Sequence, residues 1–230
     1  MRFLVFDTET TGLPKTRYIN PFALEEWPHI VQLSYIVYDT ETNDIVDSKD
    51  YIIKLPHYVL IPEESSKIHG ITNDISAEKG CFIEDILNEF FYQLRSCDAV
   101  IGHNIEFDIN IVKVELLRII NGGNETSSQL KLYKKDLHFL THFNNVICTL
   151  KDSIAFCNIQ SIDKRGKPYL KYPKLSELHE KLFNKTPSNL HNSFNDVLVT
   201  LRCFMKLKHS TDLYSSSVAF KSHCDELGIF

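Results

Sequence analysis

The sequence predicts an α/β protein in which helices pack around one central sheet. Three strand patterns follow one another at 3–6, 30–38 and 51–55, and polar turns join them, which is typical of an antiparallel meander. Beyond residue 80, helical patterns alternate with two short apolar segments, at 99–101 and near 146–147. Strands that alternate with helices in this way indicate a layered α/β arrangement.

Each element is predicted from a local pattern. The first strand, Phe3-Leu4-Val5-Phe6, is a continuous apolar run of the kind found in buried strands. A helix over 82–94 carries one apolar stripe, formed by Ile86, Leu87, Phe90, Phe91 and Leu94. Another helix, over 107–120, is ended by Gly122-Gly123. Further helices are predicted at 62–68, near 150–157, at 174–183 and at 192–207.

One domain is expected, because 230 residues with 43% hydrophobic and 24% charged content suit a single well-cored unit. We assign 1–209 to this domain and 210–230 to a tail that either adds a helix or covers the core. The run Ser215-Ser216-Ser217 favours a loose conformation for that tail. The polar segments 121–142 and 158–173 are predicted to be insertions or variable loops.

The sequence contains no pattern typical of a membrane span, a signal peptide or a disulfide framework, and this bears on the expected cellular compartment. No run approaches the roughly 18–20 consecutive apolar residues that span a bilayer, so no membrane partner is expected. Asp7 interrupts the apolar start, which does not resemble a signal peptide, and an intracellular location in cytoplasm or nucleus is expected. Six cysteines without Cys-x-x-Cys spacing are interpreted as reduced, buried thiols. The glycosylation sequons at Asn124 and Asn184 would then remain unmodified.

The formal net charge of −5 disfavours a binder of long duplexes, because such proteins neutralise many phosphates. It does not disfavour a protein that holds only the end of a strand. Two groups of basic residues stand out, and each is either a solvated segment or a phosphate contact. The better candidate for a phosphate contact is the first group, Lys164, Arg165, Lys167, Lys171 and Lys174; the second is Lys131, Lys134 and Lys135.

The most informative motif is Phe-Asp-Thr-Glu-Thr-Thr-Gly at 6–12. Asp7 and Glu9 are two residues apart at the end of the first strand, so their side chains share a face. Two carboxylates with no basic residue between them suit Mg²⁺ or Mn²⁺, which prefer oxygen ligands and commonly accompany phosphate substrates. The alternative is an acidic turn without function.

Two later segments add carboxylates near helix starts. Asp108 ends the segment Gly-His-Asn-Ile-Glu-Phe-Asp and falls in the first turn of the helix over 107–120. His191 and Asp196 lie at the start of the helix over 192–207. Taken singly, each carboxylate is explained as a favourable partner of the helix dipole, worth about 0.3–1 kcal/mol.

Taken together and in this order, the three motifs closely resemble those of the DEDDh family of 3′→5′ exonucleases, within the ribonuclease H-like superfamily. The motifs are Asp-x-Glu at 7 and 9, Asn-x-x-x-Asp ending at 108, and His-x-x-x-x-Asp ending at 196. Ile68-His69-Gly70-Ile71-Thr72 also resembles a substrate-side loop of that family. The resemblance covers residues 1 to 207, and ordered motifs so far apart rarely coincide by chance.

The resemblance implies a ribonuclease H-like fold with a central mixed sheet of five strands. It also implies that Asp7, Glu9, Asp108 and Asp196 hold two divalent cations, Mg²⁺ or Mn²⁺. Asp7 would bridge both ions and His191 would act as general base. A sister group has Tyr four residues before the final Asp, where this chain has Asn192, so the match is to the histidine type.

Substrate contacts are also implied by the resemblance. The segment Thr10, Thr11, Gly12 and Leu13 would seat the terminal nucleotide, with Thr11 near its 3′ hydroxyl and Leu13 as a wedge. The alternative is a turn in which Leu13 belongs to the core. His103 and Asn104 would face the cleft, and His69 would contact a phosphate, although His69 is also explained as a loop histidine bonded to backbone. Phe107 is expected to pack under its helix, and the alternative is that it stacks on a base.

The function that follows is hydrolysis of single-stranded 3′ ends of DNA or RNA, releasing nucleoside 5′-monophosphates. Two alternatives remain open: an RNA-trimming exoribonuclease of the same family, and an inactive module that only binds nucleic acid. A DNA polymerase or a replication or repair complex is a possible partner. The sequence leaves the sugar preference, the cellular role and the oligomeric state undecided.

Overall fold

The computed structural model describes residues 1–123 and 125–230, so the sequon at Asn124 lies outside the described residues. A five-stranded sheet with the order β3-β2-β1-β4-β5 forms its centre. Its strands are β1 (Arg2–Thr10), β2 (Ile30–Asp39), β3 (Asp44–Ile52), β4 (Ala99–Gly102) and β5 (Val146–Cys148). The first three pair antiparallel, while β4 and β5 run parallel to β1. The predicted mixed sheet flanked by helices is confirmed.

Helices cover both faces of this sheet. They are α1 (Glu63–His69), α2 (Asn73–Lys79), α3 (Ile83–Leu94), α4 (Ile105–Gly122), α5 (Ser127–Thr141), α6 (Thr149–Asp152), α7 (Ile154–Cys157), α8 (Leu175–Phe183), α9 (Ser193–His209), α10 (Leu213–Ser216) and α11 (Val218–Glu226). A short 3₁₀ helix, Leu24–Glu26, and a hairpin of β6 (Gln160–Ile162) and β7 (Pro168–Leu170) complete the elements. Within the described ranges, no helix is long and apolar enough to span a membrane.

The sheet separates two hydrophobic cores. Leu4 and Phe6 of β1 pack with α3 and α4 on one face, whereas Phe3 and Val5 pack with α9 on the other. This division follows from the alternation of side chains along a strand. An uninterrupted apolar run is therefore what a strand covered on both faces requires, and it explains the sequence of β1.

The observed elements differ from the sequence-based expectation at four places, each where polar residues obscured the pattern. The third strand is Asp44–Ile52 rather than 51–55, because it is a half-exposed edge strand whose register is set by pairing with β2. The helix α2 was not predicted. Most of 121–142 is the helix α5 rather than a loop, and its buried residues are few: Tyr133, Asp136 and Leu140. Within 158–173, β6 and β7 form a hairpin.

Residues 210–230 contain α10 and α11. The side chains of Leu213, Phe220, Cys224 and Ile229 are almost completely buried and belong to the second core. Ser217 does not loosen this segment, because its side chain accepts a hydrogen bond from the backbone N–H of Phe220 and caps α11. The segment therefore covers the core on the α9 side.

Candidate active site

Asp7 and Glu9 lie within β1, which continues past the apolar run to Thr10. They occupy the same alternating positions as Phe3 and Val5, so they point toward the α9 side of the sheet. Both side chains are only partly exposed. The carboxylates of Asp7 and Glu9 therefore lie next to the start of α9.

The start of α9 is fastened directly to this strand. The hydroxyl of Ser193 donates to the backbone oxygen of Asp7 at 2.6 Å, and the Ser193 N–H donates to Oε1 of Gln32 on β2 at 3.2 Å. Asn192 caps the helix, because its side-chain oxygen accepts from the N–H groups of residues 194 and 195. These contacts place Asp196, in the first helical turn, beside Asp7.

Neither Ser193 nor Gln32 was found by sequence reasoning. The sequence analysis noted Asn192 only as the residue that replaces the tyrosine of the sister group, and the structure gives it a capping role. A recognisable signal was present, because an asparagine directly before an apolar helical pattern is a typical N-cap. The contacts of Ser193 and Gln32 join residues about 160 or more positions apart, for which the sequence carries no local signal.

Asp108 comes from α4, on the other side of the sheet. Its Oδ1 accepts hydrogen bonds from the backbone N–H of Thr8 at 3.0 Å and from the Thr8 hydroxyl at 2.7 Å. Pairing between β4 and β1 ends at Val5, which leaves this edge of β1 open to the start of α4. Thr8 is a further site residue that sequence reasoning missed.

The four carboxylates disfavour one another's charged forms. Burial raises the pKa of Asp7 well above its usual value, and the charges of Asp108, Asp196 and Glu9 raise it further. Burial, followed by the charges of Asp196 and Asp108, raises the pKa of Glu9 to about 8. Burial is also the main cause that raises the pKa values of Asp108 and Asp196 to about 7. The cluster is one electrostatic unit that lacks positive charge.

The four carboxylates of this cluster are suitable ligands for divalent cations. Across the described part of the chain, no lysine or arginine forms an ion pair with any of the four carboxylates. Oδ1 of Asp196 is buried and accepts no hydrogen bond within those residues. A buried carboxylate oxygen without a partner is costly, and hard cations take oxygen ligands of this kind. The donor set therefore suits Mg²⁺ or Mn²⁺.

His191 stands at the mouth of this cluster. Its side chain is exposed, and its backbone N–H donates to Oδ2 of Asp196 at 3.3 Å. One possible ligand atom from each of Glu9, His191 and Asp196 lies within 4.8 Å of the others. A cavity of about 490 Å³ opens here, and its lining includes Asp7, His103, Tyr172, Lys174, His191 and Asp196. The cavity thus offers acids for cations and an imidazole for proton transfer.

Comparison with known proteins decides the family. The model of the exonuclease family (RNase_T) matches residues 4–204, a span that contains all four carboxylates and His191. The chain belongs to the exonuclease family. Its motifs place it in the DEDDh group of 3′→5′ exonucleases, and both this resemblance and the ribonuclease H-like fold predicted from it are confirmed.

This exonuclease-family protein is similar to a bacterial polymerase subunit. It is 29% identical over 154 residues to DNA polymerase III subunit epsilon of Buchnera aphidicola subsp. Schizaphis graminum. The match covers 65% of this chain and 54% of that protein, so the chain spans about half the length of this relative.

Solved structures of Exonuclease I share its fold. Escherichia coli Exonuclease I in complex with a dT13 oligonucleotide superposes with a TM-score of 0.60 at 20% identity, over 94% of this chain and 42% of that one. Exonuclease I of Methylocaldum szegediense superposes with a TM-score of 0.58 at 20% identity, over 93% and 42%. The chain spans less than half the length of either structure, and at this identity the likeness concerns the fold.

The predicted nucleotide seat of this exonuclease-family protein lies directly after Glu9. Thr10 is buried, and its hydroxyl donates to the backbone oxygen of Gly12 at 2.7 Å. Thr11 exchanges hydrogen bonds with the backbone of His29. Leu13 is 82% exposed, so the alternative that it belongs to the core is wrong. Thr11, Gly12 and Leu13 line a second cavity of about 350 Å³ rather than the one that contains Asp7 and His191.

The other predicted contacts occupy different settings. His69 is buried, burial lowers its pKa, and its Nδ1 accepts from the backbone N–H of Ile71 at 3.1 Å, as expected for a loop histidine bonded to backbone. Asn104 is exposed and left-handed, with φ of 71°, directly before α4. Phe107 is half-buried and packs against the first core, as expected.

His103 lines the acidic cavity, but both its ring nitrogens are engaged by the protein. Nε2 lies 3.1 Å from the backbone oxygen of Pro173, and Nδ1 lies 3.0 Å from the hydroxyl of Thr149. Burial lowers the pKa of His103 to about 4, so the ring is neutral at neutral pH. Because a carbonyl can only accept, the proton is on Nε2. His103 thus ties the segment before α8 to the cavity wall.

Proposed function

We propose that this exonuclease-family protein removes nucleotides one at a time from the 3′ end of single-stranded DNA and releases nucleoside 5′-monophosphates. The observation that carries the proposal is the electrostatic cluster of four carboxylates around Asp7, beside a cavity that Asp7, Asp196 and the exposed His191 line. The name of the related bacterial polymerase subunit supports DNA over RNA. The finer points of mechanism that follow belong to the same proposal.

Two divalent cations, Mg²⁺ or Mn²⁺, would supply the positive charge that phosphodiester hydrolysis needs on the attacked phosphate and the leaving oxygen. Asp7 would take part in holding these cations, since the charges of the three other carboxylates all raise its pKa and it therefore lies close to each of them. Glu9 and Asp196 would complete one site, and Asp108 would serve the other. Thr8 holds Asp108 through Oδ1, so Oδ2 of that carboxylate is the oxygen that would serve this task.

His191 would accept the proton of the attacking water on an imidazole nitrogen. The water oxygen then bonds to phosphorus while the bond between phosphorus and the 3′ oxygen of the preceding nucleotide breaks, and that oxygen takes up a proton. An exposed imidazole beside carboxylates suits this role, because histidine exchanges protons readily near neutral pH.

The hairpin of β6 and β7 would hold the strand behind its 3′ end. Asp163 closes the turn by accepting from the N–H groups of Arg165 and Lys167, both at 2.8 Å, so the tip presents Lys164 and Arg165 to solvent. From the hairpin, the chain continues to Tyr172 and Lys174, which line the acidic cavity. Lysines for phosphates and a tyrosine for base stacking are what an unpaired strand requires.

The proposal also covers the partner and the cellular location of the protein. A DNA polymerase or replication complex is the proposed partner, and only the name of the related polymerase subunit supports it. An intracellular location is proposed because all six cysteines are free thiols, five of them buried. Co-purification with a polymerase from the source cell, and imaging of the tagged protein, would test these two points.

The test of function is digestion of 5′-labelled single-stranded DNA, single-stranded RNA and 3′-mismatched duplexes, with Mg²⁺, Mn²⁺ or a chelator. We expect a ladder of products shortened from the 3′ end, formed only with metal and fastest on DNA. Asp7→Asn or Asp196→Asn should abolish it. Tight binding without degradation by the wild-type protein would instead identify an inactive binding module, and faster digestion of RNA would identify an exoribonuclease.

The proposed base is tested by His191→Ala, which should lower kcat by roughly 10²–10⁴ without loss of folding. His138→Ala, at an exposed histidine on α5, is the matched control and should leave the rate unchanged. Full activity of His191→Ala on the labelled oligonucleotide would refute the mechanism.

A further inference from the structure

The loop 184–192, between α8 and α9, presents the exposed ring of His191 and has three residues in the left-handed region of backbone conformation. Asn184, Asn189 and His191 all have positive φ, at 54°, 57° and 68°. Positive φ is uncommon for residues other than glycine, although asparagine and histidine adopt it more often than most. Such a conformation persists only where surrounding contacts hold it.

Residues 227–230 form hydrogen bonds with this loop at Ser188 and Asn189, three and two positions before His191. The backbone N–H of Ser188 donates to the backbone oxygen of Ile229 at 2.8 Å. The side-chain amide of Asn189 donates to the backbone oxygen of Leu227 at 3.0 Å. The backbone oxygen of Asn189 in turn accepts from the Asn195 side chain at 2.7 Å, in the first turn of α9. The loop is thus fixed at 188–189 from two sides.

Residues 227–230 are themselves firmly anchored. The ring of Phe230 stacks on His179 of α8, with centroids 4.9 Å apart and planes 5° apart. The guanidinium carbon of Arg202 lies 4.2 Å from the Phe230 centroid and 4.0 Å from the Phe183 centroid. Arg202 is held by Asp212 through two hydrogen bonds, at 2.7 and 2.9 Å. Cation–π contacts of a largely buried arginine are stronger than exposed ones.

Ile229 adds a second anchor beside this aromatic cage. Its side chain is completely buried in the core between α9 and the sheet. The backbone oxygen that accepts from Ser188 therefore belongs to a residue that cannot move without opening that core. The family match ends at residue 204, so Ile229 and Phe230 lie beyond the matched span, whereas the side chains that hold Phe230, those of His179, Phe183 and Arg202, lie within it.

We propose that residues 227–230 are a positioning element for His191, acting through the hydrogen bonds to residues 188 and 189. The inference rests on the proposed function, because it assumes that the orientation of the imidazole limits the rate. Residues 227–230, which lie beyond the family match, would then help to orient the imidazole of His191. Small misplacements of a reacting group cost large factors in rate, so a modest contact can matter.

Two substitutions test it at different points. Phe230→Ala removes the ring from the cage, and Asn189→Gly removes the side-chain link to Leu227 while a glycine keeps the positive φ. In each variant we expect kcat to fall by roughly 10- to 100-fold with KM changed less than about twofold. Phe230→Tyr, which keeps an aromatic ring, should restore most of the rate. Val218→Ala, at a residue of α11 that is 89% exposed, is the control and should not change it.

A double-mutant cycle separates positioning from general stability. In a His191→Ala background, Phe230→Ala should cause no further loss, because the group that it positions is gone. An equal loss in both backgrounds would overturn the proposal. Asn189→Gly leaves the contacts of Phe230 and the buried core intact. If Asn189→Gly likewise causes no further loss in the His191→Ala background, an effect of misfolding alone is excluded.

Hydrogen exchange keeps the inference testable apart from activity. The amide of Ser188 should exchange faster in Phe230→Ala, with protection in β1 and β2 unchanged. If the wild-type protein degraded no nucleic acid, the proposed function would fail, while the exchange rate of the Ser188 amide would still report whether residues 227–230 hold the loop. Unchanged exchange across 188–192 in Phe230→Ala would overturn the positioning role even in an active enzyme.

Discussion

Thr8 binds the carboxylate of Asp108 with both its backbone N–H and its hydroxyl, at 3.0 and 2.7 Å. Thr8 stands between Asp7 and Glu9 in β1, and its side chain points to the opposite face of the sheet. A single strand therefore carries two of the carboxylates on one face and holds a third from the other. The acidic cluster depends on this one strand for its geometry.

The hydroxyl of Thr8 is therefore expected to matter for rate. Thr8→Val keeps the shape and the backbone hydrogen bond but leaves Oδ1 of Asp108 with one donor fewer. Loss of a hydrogen bond to a charged group costs about 1.5–3 kcal/mol, so we expect kcat to fall by at least about tenfold. Thr8→Ser, which keeps the hydroxyl, should retain most of the rate. Equal rates for Thr8→Val and wild type would show that Asp108 needs no second donor.

The metal-free protein should lose stability as the pH rises from about 6.5 to 9. In the folded state the pKa values of Asp108 and Asp196 are raised to about 7 and that of Glu9 to about 8. The folded state therefore binds more protons than the unfolded chain in this window, and stability falls as the pH passes through the folded values. Thermal unfolding in chelator should show a falling Tm, by ~2–4 °C for each kcal/mol lost.

Buried histidines do not disturb this measurement. The pKa values of His103 and His179 are lowered to about 4 by burial, so their effect has the opposite sign and is confined to more acidic solution. Asp196→Asn removes one carboxylate and should flatten the profile. A Tm that stays constant or rises with pH in chelator would contradict mutual repulsion within the cluster.

Cations should stabilise the protein through the carboxylates and not through His191. A ligand that binds only the folded state raises Tm as its concentration passes its dissociation constant. With Mn²⁺ at pH 7.5, we expect wild type and His191→Ala to gain similarly in Tm, whereas Asp7→Asn should gain little. A gain that disappears in His191→Ala would assign this imidazole to the metal site, as its distance from Glu9 and Asp196 permits.

The charges on the hairpin of β6 and β7 should govern affinity rather than chemistry. Replacing Lys164, Arg165 and Lys167 together by glutamine should raise KM for single-stranded DNA and leave kcat near its original value. Each lost phosphate contact reduces the salt dependence of binding by about 0.7 in log–log slope, so three contacts predict a change of roughly 2. A triple glutamine substitution at Lys131, Lys134 and Lys135 on α5 is the matched control. A reduced kcat with unchanged slope would show that the hairpin does not hold the strand.

Local sequence patterns predicted most of the regular elements. The strand expected at 30–38 is Ile30–Asp39, and the helix expected at 82–94 is Ile83–Leu94, because both bury strong apolar patterns. The helix α5 was missed because it buries few residues, although Thr126 and Gln129 form a capping box that marks its start. Weak amphipathicity therefore hid α5, and its cap was the available signal.

The sequence by itself paired Asp7 with Glu9 through strand alternation, and its resemblance to a known family implied that Asp108, Asp196 and His191 join them. It also determined the family and the mixed sheet that family membership implies. Only the tertiary structure decided how the site is held: the bonds from Thr8 to Asp108, from Ser193 to Asp7, and from residues 227–229 to the His191 loop. These bonds join positions about 40 to 190 residues apart, and their partners are often backbone atoms, which every residue carries. Contacts of that kind leave no pattern in a sequence until the chain has folded.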